Sequence, residues 1–134
     1  KNDFHLHFPD TSTPKDGPSA GITIITSLIS LITNIPVKRE VAMTGEVSPR
    51  GKVMAIGGLK EKVIAAHKGG CRIIICPKEN EQDLKDIPKD IRDDLKIYCL
   101  DHIDEVVVKA LDITSPKELF KVSINTFGHK PQYV

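Results

Sequence analysis

The chain has 134 residues, enough for one domain with a real core. Hydrophobic residues make up 40%, charged residues 28%, and the formal net charge is +1, so there is no electrostatic case for nucleic acid or an anionic membrane. Aromatic residues are only 4%, with no Trp, which argues against a base-stacking surface. The three cysteines, Cys71, Cys76 and Cys99, are odd in number and lack C-x-x-C spacing. They read as reduced thiols in a reducing compartment rather than as a zinc site. The most apolar stretch, residues 22–32, is punctuated by Thr23, Thr26, Ser27 and Ser30 and reads as a buried helix, not a membrane span. With no initiator Met, no signal peptide and an abrupt start in a strand, the sequence reads as a fragment of something longer.

In chain order, Asp3-Phe4-His5-Leu6-His7-Phe8 alternates with period two, placing His5 and His7 on one face. Two histidines so spaced suit a metal, but no third ligand is near, so they read as a wall or solvent face. Residues 9–17 form a loop, and a helix is expected from Ser19 to Thr33. Pro18 suits its first position, Asp16 or Gly17 its N-cap, and Ser19 falls in the first turn, where unpaired N–H groups favour an anion. Apolar residues cover most of this helix, so it is expected to be central. Ala20 and Gly21 allow another backbone close, and Asn34 and Pro36 end the helix.

Residues 41–47 read as one strand, Ser48-Pro49-Arg50-Gly51 as a turn and residues 52–56 as the returning strand of a hairpin. After Gly57-Gly58, a helix from Leu59 to Lys68 buries Leu59, Val63 and Ala66 and is capped by Gly69-Gly70. Residues 71–76 are a continuous apolar run, as in a buried parallel strand. A short charged helix starting near Asn80, another helix over 88–95, a strand over 96–100 and a helix capped by Asp101 or His102 follow. This alternation points to an α/β arrangement, partly parallel.

Lys60 and Lys62 sit in the first turn of their helix, against the usual dipole preference. One explanation is two solvated lysines. The other is a partly buried lysine whose protonated form is disfavoured, leaving a neutral amine as general base. A nucleophilic serine needs such a base, and none of His5, His7, His67, His102 or His129 sits in a triad context.

The segments Pro14-Lys15-Asp16-Gly17-Pro18-Ser19-Ala20-Gly21, Met43-Thr44-Gly45-Glu46 with Arg50-Gly51, and Gly57-Gly58-Leu59-Lys60-Glu61-Lys62 with Ala65-Ala66-His67 resemble the signature of the Lon protease family. The resemblance runs from about Asp3 to Leu111. It implies an ATP-dependent serine endopeptidase with a Ser–Lys dyad, Ser19 as nucleophile and Lys62, not Lys60, as base. Thr44 then orients the lysine, Asp16 and Glu46 lie near the dyad with Gly17 beside them, and the segment around Asp16 switches the site between blocked and open. The implied fold is an α+β sandwich of the ribosomal-protein S5 domain 2 type, here without its N-terminal part. Also implied are a homo-oligomeric ring, typically a hexamer, acting on unfolded or damaged protein substrates. The ATPase module, with its ATP and Mg2+, is outside this chain, which itself needs no cofactor.

The domain is expected over 1–113 and a tail over 114–134. A mitochondrial matrix enzyme is the expectation for location, bacterial cytoplasm the alternative. Two rivals to the peptidase are a small-molecule kinase of the GHMP type, with 17–21 as a phosphate loop, and a non-catalytic module that completes a ring. The kinase lacks a G-x-x-x-x-G-K-[ST] motif and would leave Lys62 without a role.

Overall fold

The strand order follows from which segment is apolar on both faces. In the computed structural model, which describes residues 19–111 and Ile113, that segment is β4 (Ile73–Pro77). It lies between β1 (Val41–Met43) and β5 (Lys96–Leu100) and is parallel to both, with Met43 opposite Ile75 and Cys76 opposite Cys99. A central parallel strand has no solvent face, which is why 71–76 shows no alternation. A separate antiparallel pair joins β2 (Glu46–Val47) to β3 (Val53–Met54).

Each face of the sheet carries its own apolar layer. Ile75 and Leu100 pack with Ile22 of α1 (Gly21–Thr33) and with Val106 and Ala110 of α4 (Ile103–Ala110). Ile74 and Cys76 pack on the other face with Leu59 and Val63 of α2 (Leu59–Lys68) and with Ile87. Between β4 and β5 run a 3₁₀ helix (Lys78–Asp86) and α3 (Lys89–Asp93). The result is a mixed helix-and-sheet fold in which helices flank both faces of a short parallel sheet. Each fully buried Ile or Val contributes about 1.5–3 kcal/mol.

Several expected elements stand close to where the sequence places them: α2, β4, β5, and α4 with its His102 cap, whose Nδ1 accepts the Asp104 N–H at 3.2 Å. Asn34 ends α1 in the left-handed conformation, φ 56°. The hairpin turn is present, with the Gly51 N–H on the Ser48 carbonyl at 2.9 Å and Gly51 at φ 87°.

Four expectations need correction. Helix α1 begins at Gly21 with Ala20 as its N-cap, so Pro18 is not its first residue, Asp16 and Gly17 are not its cap, and Ser19 precedes the first turn. Nor is α1 central among the described residues: Leu31 is 63% exposed and Ile32 38%, because only one stripe of the helix meets the sheet and α4. The 41–47 run is two strands, broken at Thr44-Gly45, because the backbone of Gly45 is committed to α1 instead of a ladder. The charged segment around Asn80 is a nine-residue 3₁₀ helix, and the Asn80 side chain bonds to Ile56 rather than capping a helix. The 3–8 strand, with His5 and His7, and the 114–134 tail lie outside the described residues.

The break at Gly45 is where α1 docks. A Cβ on Gly21 would stand 3.0 Å from the Val47 nitrogen, a backbone atom that cannot step aside. Ala ordinarily stabilises a helix over Gly by about 0.5–1 kcal/mol. Here Gly21→Ala is expected to destabilise by about 1–3 kcal/mol, the cost of overpacking, measured by denaturant unfolding.

Candidate active site

The first residues of α1 are fixed by a reciprocal backbone pair. The Gly45 N–H donates to the Ser19 carbonyl at 3.0 Å, and the Ile22 N–H donates to the Gly45 carbonyl at 3.1 Å. The Thr23 hydroxyl adds a bond to the Met43 carbonyl at 3.4 Å. These bonds hold Ser19, half-buried in the turn before α1, beside the carboxyl end of β1. They also occupy the Ile22 amide, so any oxyanion bound here takes its donors from other groups.

Thr44 stands at that carboxyl end. Its N–H still pairs with the Ile75 carbonyl at 3.0 Å, and its Oγ1 reaches the Ser19 carbonyl at 3.5 Å. The same threonine lines a small cleft of about 40 Å³ with Ala42, Met43, Ile74 and, from α2, Lys62, Val63 and Ala66. Thr44 and Lys62 are the polar side chains in an otherwise apolar wall. Lys62 is half-buried, whereas Lys60 is exposed. The structure therefore brings Ser19, Thr44 and Lys62 to one corner of the sheet, with Thr44 in the middle. Among the described residues no hydrogen bond joins the Ser19 hydroxyl directly to the Lys62 ammonium.

Lys62 gets its position from the start of α2. Gly58, at φ 70°, is the N-cap, and its carbonyl accepts the Lys62 N–H at 3.2 Å. The preceding residues are gripped from the 3₁₀ helix. Asn80 bonds to both the N–H and the carbonyl of Ile56, and the Glu79 carboxylate accepts the Ala55 N–H at 3.3 Å. Glu79 also pairs with Lys52 at 3.1 Å, and that ammonium and the Ala55 N–H hold its carboxyl below the ordinary glutamate value. The sequence reading missed Asn80, taking it for a helix start. Its only signal was an Asn in a polar run, and nothing local tells that 4% of it remains exposed.

Glu46 is half-buried on β2, opposite Met54, with no ion pair to another described residue. Asp16 and Gly17 lie outside the described residues. His67 pairs with Asp94 at 3.0 Å at the far end of α2, and the His102 ring reaches the Arg50 carbonyl at 3.3 Å. Both histidines thus serve loops away from Ser19. Among the described residues no group of three or more His, Cys, Asp or Glu could hold a metal ion, and no helix is long and apolar enough to cross a membrane.

Comparison with known proteins decides what this corner belongs to. Residues 1–113 match the family described as the Lon protease (S16) C-terminal proteolytic domain. The chain belongs to the Lon protease family. It is 56% identical over 111 residues to the Lon protease of Brevibacillus choshinensis, covering 83% of this chain and 14% of that protein. To the Lon protease of Haemophilus influenzae it is 55% identical over 112 residues, 84% of this chain and 14% of the relative. To Lon protease 1 of Myxococcus xanthus it is 48% identical over 129 residues, 96% of this chain and 15% of the relative. The chain thus spans about one-seventh of the length of these Lon proteases. They are bacterial, and they give the mitochondrial expectation no support. Membership in a protease family also leaves the small-molecule kinase without support.

The Lon motif residue Thr44 offers a discriminating substitution, because Thr44→Val keeps the β-branched shape and removes only the hydroxyl. Peptide cleavage is expected to slow by about ten-fold or more, while the unfolding free energy from denaturant titration stays within about 0.5 kcal/mol of wild type, since the lost bond is a long one.

Proposed function

We propose that the domain is the peptidase part of an ATP-dependent Lon enzyme and cleaves peptide bonds with Ser19 as nucleophile and Lys62 as general base. The observation that carries this reading is the place of Thr44, whose hydroxyl is 3.5 Å from the Ser19 carbonyl and which shares a cleft with Lys62. A threonine so placed can orient a lysine side chain toward the serine once substrate tightens the site, as apo catalytic hydrogen bonds are commonly long.

In the proposed reaction Lys62 takes the Ser19 proton as Oγ attacks the peptide carbonyl carbon. The tetrahedral intermediate collapses, the C–N bond breaks, and Lys62 returns the proton to the leaving amine. Water then attacks the acyl ester, gives a proton to Lys62 and releases the acid, and Ser19 is reprotonated. Asp16, Gly17 and Glu46 are the supporting residues that the Lon motifs suggest.

The larger setting is part of the same proposal. The fold is of the ribosomal-protein S5 domain 2 type, and the domain works in a homo-oligomeric ring, a hexamer, on unfolded or damaged proteins. ATP and Mg2+ act at an ATPase module outside these residues, and bacterial relatives favour a cytoplasmic setting.

The test uses the full-length polypeptide and an unfolded protein substrate. Ser19→Ala and Lys62→Ala are each expected to lower cleavage by about 10³-fold or more while ATP hydrolysis persists. Cleavage by Lys62→Ala at near the wild-type rate would remove Lys62 as the base.

A further inference from the structure

Asn80 has only 4% of its surface exposed, and a buried carboxamide is costly unless its polar atoms are met. All of its bonds point one way or serve that one. Oδ1 accepts the Ile56 N–H at 3.0 Å, Nδ2 donates to the Ile56 carbonyl at 2.9 Å, and Nδ2 also donates to Asp83 Oδ2 at 2.8 Å. The amide has one orientation: flipped, it would set donor against donor and acceptor against acceptor at Ile56. Asp83 reinforces that orientation from outside.

Two residues separate Ile56 from α2, and neither is braced laterally. Among the described residues, a Cβ on Gly57 would meet nothing within 4 Å, and one on Gly58 would meet only the Glu61 carboxylate, at 3.7 Å. Leu59 and Val63 press α2 onto the sheet, and at its far end His67 pairs with Asp94 at 3.0 Å and the Ala66 carbonyl accepts the Cys71 N–H at 3.0 Å, but these directional bonds act on the last turn and not on the first. Hydrogen bonds are directional, and those of Asn80 are the nearest ones ahead of the Gly58 carbonyl that carries the Lys62 N–H.

We infer that Asn80 is a positioning residue for peptide cleavage: through Ile56 and the Gly57-Gly58 turn it fixes the first turn of α2, and so the place of Lys62 beside Thr44. The inference rests on the reading of Lys62 as the base. Asn80 is buried and does not line the cleft that holds Thr44 and Lys62, so its effect falls on the proton transfer and not on substrate affinity.

The experiment compares Asn80→Ala with wild type in the full-length polypeptide, using a short peptide substrate. The expected result is a kcat lower by about 10–100-fold, the loss typical of a misplacement near 1 Å, with KM within about two-fold. A wild-type kcat or a loss expressed in KM overturns the inference. If Asn80→Ala does not fold, Asp83→Ala, which strips only the outer partner of the amide, decides by the same readouts. Lys62→Ala measured alongside separates the two readings. If it still cleaves, the dyad falls; if it is inactive and Asn80→Ala behaves as wild type, only the role of Asn80 falls.

Discussion

The backbone pair between Gly45 and the start of α1 governs much of this domain. A strand residue normally spends its N–H and carbonyl on neighbouring strands. Gly45 spends both on Ser19 and Ile22, and that single commitment has three effects. It ends β1 at Met43, turns the chain into the β2–β3 hairpin, and brings Ser19, in the turn before α1, against the sheet. Glycine is needed on both sides of the contact. A Cβ on Gly45 would crowd Val53 and Ile22 at 3.1 and 3.2 Å, as one on Gly21 would crowd Val47. The serine is therefore placed by main-chain geometry, which side-chain motion does not disturb.

The rest of the corner follows from parallel topology. Carboxyl ends of parallel strands leave polar groups facing a gap between layers, and ligand sites gather there. Thr44 follows the last residue of β1 at such a gap, α1 approaches from one face, and α2 from the other. Ser19 and Lys62 are 43 positions apart, counting 62 − 19 in the sequence, and belong to opposite helical layers. Only the sheet between them relates the two, and Thr44 is the sheet residue at that point.

Much of the fold was legible because its signals are local. Glycine pairs bracket α2, an apolar run marks β4, and a polar residue before a periodic stretch marks α4. The motif segments carried the family and named Ser19, Thr44 and Lys62. What was not legible is tertiary. The break at Thr44-Gly45 looks like continuous strand because Val41, Thr44 and Val47 are spread along the run with no proline to divide it, and the competing bonds come from a segment two dozen residues upstream. The start of α1 was misplaced because proline and aspartate offered an attractive cap, while the contact with Val47 selected Gly21. Asn80 shows the same limit: its partners at Ile56 are 24 residues away.

The thiols facing each other across β4 and β5 have a practical side. Cys76 and Cys99 lie with sulfurs 3.6 Å apart in the layer beneath α2, and burial pushes both up from the ordinary thiol value. Little thiolate forms, and alkylating reagents reach Cys76 only when the helical layer lifts from the sheet. Labelling of Cys76 consequently reports the population in which the layer it shares with Leu59 and Val63 of α2 is open. The native thiol is thus its own probe, with no added tag.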